Sequence, residues 1–559
     1  MDRFLRLRWL LGTLWRLGFT NLGRVALYRI QLKTGRLQKK LPIGRHIRGP
    51  FFSGKCLSIF SGVNNLSTIS PDALLLTHGK IRYFSSSVEN VGNPPNWHLD
   101  AITGEYYPNI EKHWSQLSDF KTGDIKHIWE PSRFQWLVLA TQAFRTTGDS
   151  MYLSLINEWL TDWSKKNPVN QGPNWKCGQE TAIRILNLLM AAFVLGEHYR
   201  PTLALIQVVR EHCERIEPTL HYAIAQDNNH GTSEAAGLYV GGNWLIAVGD
   251  SSKKSRLWAR MGRKRLEERI STLVENDGSF SQYSVNYHRL LLDTLSQVEF
   301  WRRNLDLPHF SKHFYKRVSA ATKWLWQMTD PVTGEAPNLG ANDGALLLQL
   351  ADTPYRDFRP TVQLSGVLFL GQRLYENCGS GDRLLQWLDL PPEKYPVNKK
   401  VRGSVIMNNG GFVTMHGESC WGMLRFPRFH FRPGHADLLH IEIMDRGISI
   451  VKDGGSYSYN TKPQWLNYFP GVASHNTIQF DDGEPMPRLS RFLFGAWPEV
   501  KNVAFEHTDE IASWSGGYKD YRGCKHDRKV EVSGRAWKVE DVVAGFCEKA
   551  VLRWRLALG

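Results

Sequence analysis

The segment 227–237, which reads DNNHGTSEAAG, groups two amides, an imidazole and a carboxylate. A long helix is predicted to begin here, because Asp and Asn are good N-cap residues and the stretch 235–248 is apolar at helical spacing. A helix N-terminus offers free N–H groups and a partial positive charge, so this segment suits an anionic substrate. A polar cap on an ordinary helix explains the same residues as well.

Other polar segments are spread along the chain. They are 129–134 (WEPSRF), Asn174 and Trp175 with Glu180 and Arg184, 277–289 (DGSFSQYSVNYHR), 429–437 (FHFRPGHAD), 451–455 (VKDGG) and 474–477 (SHNT). Together with the first segment they resemble the heparinase II/III group of polysaccharide lyases, close to the heparan-sulfate lyases and the alginate lyases. The resemblance runs in order from roughly residue 100 to the C-terminus, so it does not rest on one motif.

The resemblance implies elimination chemistry on a uronic-acid polysaccharide. Such a lyase removes the proton next to a uronic acid carboxylate and expels the glycosidic oxygen, so it must stabilise the carboxylate and supply a base and an acid. The family's Asn and His match Asn229 and His230, which would stabilise the developing negative charge. Its catalytic tyrosine matches Tyr287, which would take the proton and then return one to the leaving oxygen, and we expect nearby cations such as Arg289 to lower its pKa. Tyr283 lies one helical turn earlier and is expected to pack in the core.

The resemblance also implies a metal site. His435, Asp453 and His475 match the metal ligands of several family members, and two imidazoles with a carboxylate are a fair zinc set when water fills the last position. One divalent metal ion, zinc, is therefore the implied cofactor, in a structural or substrate-orienting role, and no organic cofactor is expected. A hydrogen-bonded His/Asp cluster that braces the fold is the alternative.

One departure from the family pattern concerns a histidine. Many relatives carry His-x-His-x-Asp, with the first His catalytic and the second on the metal, whereas this chain reads PGHAD at 433–437. Either His435 is itself the catalytic imidazole, or the nearby His430 substitutes for it, or the mechanism relies on the tyrosine alone. The sequence leaves these three alternatives open.

Several aromatic and charged residues are predicted to bind the substrate. Arginine can grip carboxylates or sulfates through paired N–H donors, and tryptophan can stack on sugar rings. The candidates are Trp129, Arg133, Trp175, Arg184, Glu234, Arg289 and Arg528. Ion pairs within helices, Glu130 with Arg133 and Glu180 with Arg184, explain two of the arginines without any ligand.

Two other functions compete with the lyase. A glycoside hydrolase needs two opposed carboxylates, and Glu234 with Asp343 is the candidate pair. A non-catalytic glycan-binding or assembly protein is the second alternative. The histidine missing at 433 favours that alternative, and the joint presence of Asn229, His230 and Tyr287 opposes it.

The positive charge of the chain is concentrated at its N-terminus. The formal net charge is +15, and residues 3–48 contain twelve Lys or Arg and no acid. Such a segment fits anionic partners, either membrane headgroups or the acidic polysaccharide. No nucleic-acid-binding module accompanies the charge, so no nucleic acid is expected as a partner. A solvated basic arm packed on the next domain is the alternative.

The compartment is not fixed by this segment. Its longest apolar run, Trp9 to Trp15, is too short to span a bilayer, and no small-residue cleavage site follows it. The run is compatible with an amphipathic helix lying on a membrane surface. Family members are often exported, so a bacterial periplasm or cell envelope is expected, with the cytoplasm as the alternative. Seven dispersed cysteines argue against a disulfide framework.

Helices are predicted to carry the first group of motifs. At 559 residues and 42 % hydrophobic content, the chain can bury a large core in two or three domains. Residues 1–95 form a basic N-terminal segment, and residues 96–395 read as consecutive helices with short links. That pattern favours antiparallel pairs arranged as an (α/α) toroid or incomplete barrel. The predicted helices are 134–146, 152–165, 179–195, 202–223, 232–247, 254–275, 287–304, 313–328 and 361–376.

Strands are predicted to carry the remaining motifs. Residues 396–559 contain short alternating runs typical of an antiparallel β-sandwich. The predicted strands are 404–407, 412–415, 422–426, 438–443, 448–452, 529–532 and 537–543. The fold class is therefore α+β and multidomain, and the resemblance implies an active site in the cleft between toroid and sandwich. Further strands are expected where the chain ends, so we expect the sandwich to be cut short.

Overall fold

A computed structural model describes residues 3–55, 69–118, 123–377 and 379–557. An N-terminal group of helices is followed by a ring of paired helices and then by antiparallel sheets. The predicted fold class, an (α/α) toroid followed by an antiparallel β-sandwich, is confirmed. Five cysteines in these ranges are free thiols, while Cys56 and Cys378 lie outside the described residues.

The N-terminal segment is helical and contacts both of the larger regions. It contains α1 (Arg3–Leu17), α2 (Phe19–Lys33), α3 (Arg36–Lys40) and α4 (Pro71–Thr77), followed by the hairpin of β1 (Lys80–Tyr83) and β2 (Ser87–Asn90). Trp9 on α1 meets the ring of Tyr521 edge-on in the sheet region, with centroids 4.7 Å apart. Tyr28 on α2 stacks on Tyr222 of the helical ring at 4.0 Å.

The helical ring is built from twelve described α-helices. They are α5 (Lys126–Ser132), α6 (Gln135–Thr147), α7 (Ser150–Lys166), α8 (Gly178–Val194), α9 (Leu203–Ile216), α10 (Leu220–Ala225), α11 (Asn229–Ala247), α12 (Lys253–Leu273), α13 (Val285–Asn304), α14 (Lys312–Met328), α15 (Arg359–Leu370) and α16 (Arg383–Trp387). Every residue of α8 is buried, and α11 and α13 are buried along almost their whole length. Helices covered on all sides must lie inside the ring, with the amphipathic ones around them.

Capping side chains and one close glycine contact set the helix positions. Ser252, Ser284 and Ser311 each accept an N–H from the first turn of α12, α13 and α14, respectively. Gly262 lets α12 approach α11, because a Cβ at this position would lie 2.4 Å from the backbone nitrogen of Tyr239.

Two predicted helices are shorter than the pattern indicated. The predicted helix 202–223 is interrupted, because α9 ends at Ile216 and a single 3₁₀ turn precedes α10. Pro218 lies in that turn and cannot donate a helical N–H. The predicted helix 361–376 ends at Leu370, where Gly371 adopts the left-handed conformation (φ 67°) common at helix C-termini.

The C-terminal region contains two main antiparallel sheets. The five-stranded sheet runs in the order β3 (Val405–Met407), β4 (Phe412–His416), β5 (Cys420–Arg425), β6 (His440–Asp445) and β7 (Ile448–Val451), and it is followed by α17 (Pro463–Tyr468). Short pairs join β8 (Ile478–Phe480) to β15 (Ala550–Leu552) and β9 (Arg488–Ser490) to β10 (Leu493–Phe494). The four-stranded sheet contains β11 (Lys501–His507), β12 (Ile511–Lys519), β13 (Lys525–Ser533) and β14 (Ala536–Ala544).

One face of the four-stranded sheet packs toward the core. Buried and exposed residues alternate along β13, as expected for a sheet with one solvated face. Trp514 on β12 stacks on Phe426, which follows β5, at 5.4 Å and so joins the two sheets. The sequence prediction missed β11 and β12, where Gly516 and Gly517 obscure the alternation of apolar residues. No helix in the described ranges is both long and apolar enough to cross a membrane.

Candidate active site

A large cleft lies where the toroid, the sandwich and the N-terminal helices meet. Its volume is about 950 Å³, which is enough for several sugar rings. The toroid contributes α5, α8, α11, α13 and the loop 341–345, and the sandwich contributes residues 430–434, 459–460 and 491–497. One side of α2 forms a third wall.

The start of α11 brings Asn229 and His230 to the cleft wall. Asn228 caps the helix by accepting the N–H of His230 at 3.1 Å, and Asp227 before it adopts a positive φ of 46°. The backbone N–H of Asn229 donates to Oε1 of Gln282 at 2.9 Å. Burial lowers the pKa of the His230 imidazole to about 4, against the opposing effect of Glu180, so the free enzyme holds it neutral at pH 7. The predicted helix terminus is therefore present, with its histidine half-buried in the cleft.

Tyr287 lies at the centre of a network of hydrogen bonds across the cleft. Its hydroxyl donates to Oδ2 of Asp343 at 3.2 Å and lies 3.1 Å from the hydroxyl of Tyr459. Lys126 Nζ donates to the same Asp343 oxygen at 2.8 Å and lies 3.7 Å from the centre of the Tyr459 ring. One carboxylate thus joins a lysine of α5 to a tyrosine of α13, while Tyr459 comes from the sandwich.

The protonation of this network differs from the expectation. Burial raises the pKa of Tyr287 well above its ordinary value, and the neighbouring Asp343 raises it further. Burial also acts to raise the pKa of Asp343, but Lys126 and Arg133 outweigh it and hold that pKa at about 2. Our expectation that cations lower the pKa of Tyr287 is therefore wrong for the free enzyme, because the nearest charge is a carboxylate.

Arg133 reaches the cleft but is held firmly by two carboxylates. It donates to Glu180 through Nε at 2.7 Å and through Nη2 at 2.9 Å, and to Glu130 at 2.6 Å. The pairing of Glu130 with Arg133 is therefore present, whereas the expected pairing of Glu180 with Arg184 is replaced by Glu180 with Arg133. Trp129 is half-buried and lines the same stretch of wall.

Four predicted substrate-binding residues do not line the cleft. They are Trp175, Arg184, Arg289 and Arg528, each of which is almost completely buried. Arg184 packs against the ring of Trp175 and donates to His212 at 2.8 Å. The guanidinium of Arg289 lies over Tyr355 and Phe358 and takes no part in the Tyr287 network. Arg528 donates to Asp541 and to two backbone carbonyls of the sandwich.

Glu234 is a buried carboxyl group at the edge of the cleft. It exposes 3 % of its surface, and its Oε2 has no hydrogen-bond partner within the described residues. A Cβ on Gly178 would lie 2.6 Å from this carboxyl group, so any larger residue at the start of α8 would displace the Glu234 side chain. Burial raises the pKa of Glu234 to about 8, against the opposing effect of Arg215. The side chain is therefore protonated at neutral pH.

The two histidines that could replace the missing one lie in different surroundings. His430 is exposed, lines the cleft and forms a 2.8 Å contact through Nδ1 with Oε1 of Glu275. His435 is buried below the cleft surface, although the neighbouring Gly434 lines it. Tyr283, expected to pack, is buried and accepts the backbone N–H groups of His430 and Phe431.

The predicted metal ligands come together in the sandwich. Ligand atoms of His435, Asp453 and His475 lie within 4.8 Å of one another, and a second such group of His440 and Glu442 shares Asp453. We call these five residues the buried histidine cluster. His475 Nδ1 lies 2.7 Å from Oδ2 of Asp453, and Asp453 raises the pKa of His475 in spite of burial.

The residues of this cluster fit a metal ion. His435 Nδ1 and His475 Nε2 are buried and have no partner elsewhere in the described chain. Two unpaired imidazole nitrogens beside a carboxylate form a donor set suited to zinc and similar divalent ions. The cluster can therefore hold a divalent metal ion, and His440 with Glu442 would lie in contact with the ligands.

Two family profiles match most of the chain. The heparinase II/III N-terminus profile matches residues 96–347, and the heparinase II/III-like C-terminal profile matches residues 401–558. The chain belongs to the heparinase II/III family. It is therefore a polysaccharide lyase, as its motifs predicted. None of the curated proteins compared with it matches.

Solved structures share the fold of this heparinase II/III protein. A structure described as heparinase III matches with a TM-score of 0.61 and 15 % identity, covering 97 % of this chain and 80 % of that one. The heparan sulfate lyase HepC from Pedobacter heparinus matches with a TM-score of 0.51 and 17 % identity, covering 95 % and 75 %. At these identities the similarity is one of fold.

The sequence prediction missed three residues of the cleft. Lys126 and Tyr459 complete the Tyr287 network, but neither stands in a motif that marks it. Arg432 lies half-buried in the cleft wall, and its guanidinium makes no hydrogen bond or ion pair within the described ranges. Arg432 stands inside the FHFRPGHAD segment, so the family resemblance could have pointed to it.

Proposed function

We propose that this heparinase II/III protein cleaves an acidic, uronic-acid-containing polysaccharide by β-elimination. The observation that carries the proposal is the joining, in one cleft, of a helix N-terminus with Asn229 and His230 to the Tyr287 hydroxyl. Arg432 adds a guanidinium that makes no hydrogen bond or ion pair within the described residues, although the charge of Asp227 acts on it, and such a group suits the carboxylate of a uronic acid.

The residues of the cleft can supply each of the three groups that elimination needs. The uronic acid carboxylate accepts an N–H from the side-chain amide of Asn229, and the partial positive charge at the α11 N-terminus helps to stabilise the charge that builds up when the neighbouring carbon loses its proton. A neutral His230 is able to accept that proton. Electrons of the broken C–H bond form the new double bond as the bond to the glycosidic oxygen breaks. Tyr287, with its raised pKa, is protonated and supplies the proton to the leaving oxygen.

The charge of the chain supports a class of substrate. Its net charge of +15 and the cationic cleft favour an anionic polymer, such as a glycosaminoglycan, alginate or a bacterial capsule or exopolysaccharide. We place it in bacterial surface polysaccharide metabolism, in the periplasm or cell envelope. Growth of the source organism on heparan sulfate through a freely secreted form of the protein would contradict this role.

Zinc is the metal ion we propose for the buried histidine cluster, held by His435, Asp453 and His475. Bound there, it would supply positive charge that fixes the strands beneath the cleft floor. The unpaired ring nitrogens of His435 and His475 support this assignment. Position 433 is a proline where many relatives have the catalytic histidine. With His435 on the metal ion, His430 is the imidazole of the sandwich that lines the cleft.

The test is an absorbance assay on a panel of uronic-acid polysaccharides. Elimination creates a conjugated double bond, so ultraviolet absorbance should rise with the wild-type protein and stay flat with Tyr287→Phe. Tyr106→Phe, an exposed tyrosine away from the cleft, is the matched control and should behave as wild type. Binding of every polymer without absorbance would contradict the proposal and favour a glycan-binding role.

Hydrolysis is the second candidate, and one observation favours it. Glu234 is protonated and Asp343 ionised in the same cleft, which is how environments separate a general acid from a base or nucleophile. The burial of Glu234 and the engagement of Asp343 with Lys126 and Tyr287 weigh against it. New reducing ends without ultraviolet absorbance, abolished by Glu234→Gln, would establish hydrolysis.

A further inference from the structure

The outer surface of α1 and α2 carries large apolar side chains that no other part of the described chain covers. Trp15 exposes 71 % of its surface, Phe19 68 %, and Leu11 and Ile30 58 % each. On α2, Phe19, Leu27 and Ile30 are eight and three residues apart, which places them on one side of the helix. The rings of Trp15 and Phe19 meet edge-on at 5.5 Å, so the apolar surface continues from α1 to α2. We call these five residues the docking face.

The opposite side of α2 already has a partner. Leu22, Val25, Tyr28 and Leu32 line the cleft, and Tyr28 stacks on the toroid. No residue of α2 is fully buried, so the helix is apolar on two sides and covered on only one of them. Such a helix is stabilised when its uncovered apolar side is buried against another apolar surface.

The positive charge around the docking face indicates which partner binds there. Residues 3–48 carry twelve Lys or Arg and no acid, so a second copy of the chain would bring like charges together. Basic side chains flanking exposed Trp, Phe and Leu are the composition of helices that lie in the interface of an anionic bilayer. We propose that α1 and α2 dock this protein on an anionic membrane surface, with the docking face inserted and the basic side chains beside it among the headgroups, except Arg16 and Lys40, which pair with Glu499 and Glu217.

Docking would place the cleft next to the lipid. One helix separates the docking face from the cleft wall, and an α-helix with its side chains is about 10–12 Å across. If the proposed lyase function holds, the polymer most accessible to the cleft is one anchored at or emerging from that membrane. The docking itself does not depend on the lyase function.

Vesicle sedimentation with the full chain tests the proposal without any polysaccharide. The protein should pellet with vesicles of phosphatidylcholine and phosphatidylglycerol, remain soluble with phosphatidylcholine alone, and be released by salt. The variant Trp15→Ser/Phe19→Ser/Ile30→Ser should partition at least about tenfold more weakly, because it removes the apolar side chains that enter the lipid. Leu203→Ser/Val332→Ser/Val401→Ser, which changes equally exposed apolar residues elsewhere, should pellet as wild type.

A second measurement keeps the test decisive if the triple variant does not fold. Brominated lipids should quench part of the tryptophan fluorescence of the wild type, and Trp15→Phe should remove that quenching while vesicle binding remains. Wild type that stays in the supernatant with anionic vesicles would overturn the proposal, as would equal pelleting of a folded triple variant. A concentration-dependent dimer that the triple variant abolishes would also overturn it and make a second copy the occupant.

Discussion

The cleft and the buried histidine cluster contain similar residues in opposite surroundings. In the cleft, His230 is half-buried, and burial together with the cations Arg432 and Lys126 lowers its pKa to about 4. In the cluster, His475 is completely buried, and Asp453 at 2.7 Å raises its pKa. A neutral imidazole facing a cleft can exchange a proton with a substrate, whereas His475, which does not line the cleft, can use its free ring nitrogen only within the sandwich, for example to bind a metal ion. Position relative to the cleft, and not residue type, therefore separates the two roles.

The largest effect should come from the tyrosine on the cleft side. Tyr287→Phe removes the hydroxyl that supplies the proton, so kcat should fall by about 10²–10⁴-fold, the usual contribution of a general acid. Tyr459→Phe, which removes the hydroxyl 3.1 Å away, should cost far less because that group only supports Tyr287. Steady-state kinetics by ultraviolet absorbance measures both. Equal decreases in kcat for the two variants would contradict the assignment of Tyr287 as the proton donor and Tyr459 as a supporting residue.

On the cluster side, stability should change more than catalysis. His475→Ala removes the closest partner of the buried Asp453 and leaves it only His440 at 3.4 Å and a backbone N–H, so the free energy of unfolding should fall by about 3–5 kcal/mol. Elemental analysis should show that bound metal is lost together with stability. His78→Ala, an exposed histidine, is the control for denaturant unfolding. A variant of normal stability and metal content that has lost its activity would move His475 into the catalytic group.

A smaller effect should distinguish arginines inside the cleft from those outside it. Arg432→Gln removes a cation that faces the substrate, so KM should rise about tenfold, equivalent to about 1.4 kcal/mol of binding. Arg260→Gln, at an exposed position away from the cleft, should leave KM unchanged. Arg289→Lys should also leave KM unchanged, since Arg289 does not line the cleft. A KM increase in Arg289→Lys would restore it as a substrate-binding residue.

A separate effect is expected in the pH dependence of stability, where the change within any single pH unit is small. The pKa of Glu234 is about 8 in the folded protein and near its ordinary value of 4.5 in the unfolded chain, so the folded state binds the extra proton between these values. Stability contributed by Glu234 is thus present below pH 4.5 and lost as pH rises to 8. Glu234→Gln should flatten this decline by up to about 1.4 kcal/mol per pH unit. Chemical unfolding at several pH values measures the slope, and an unchanged slope would refute the assignment.

The regular spacing of apolar residues made most of the helices and strands predictable. The elements that were missed or misjudged depend on single Pro or Gly residues that interrupt this spacing. Long helices such as α13 begin and end within two residues of the predicted bounds, because apolar spacing and a serine cap mark them together. The break at Pro218 and the end at Gly371 depended on single residues inside an otherwise helical pattern. Glycines inside β12 concealed a strand that is fixed by its neighbours β11 and β13.

The candidate site was predictable where one motif supplies the residue, and not where tertiary contacts do. Asn229, His230 and Tyr287 stand in recognisable segments and all line the cleft. Lys126 enters the site only because Asp343, more than two hundred residues later, lies 2.8 Å from it. Arginines were the least predictable, since Arg289 is held inside the core by hydrogen bonds to Asn286 and to the backbone of Tyr355, and nothing in the sequence marks these contacts.

The contact between Tyr287 and Tyr459 ties the evolution of the toroid to that of the sandwich. The two hydroxyls lie 3.1 Å apart, yet they belong to parts of the chain separated by 172 positions. A gene fragment that encodes either part alone would inherit half of a hydrogen-bonded pair and only some of the walls of the cleft. Recombination that exchanges the sandwich between relatives must therefore bring a matching tyrosine loop with it, so the two parts should be inherited as one unit.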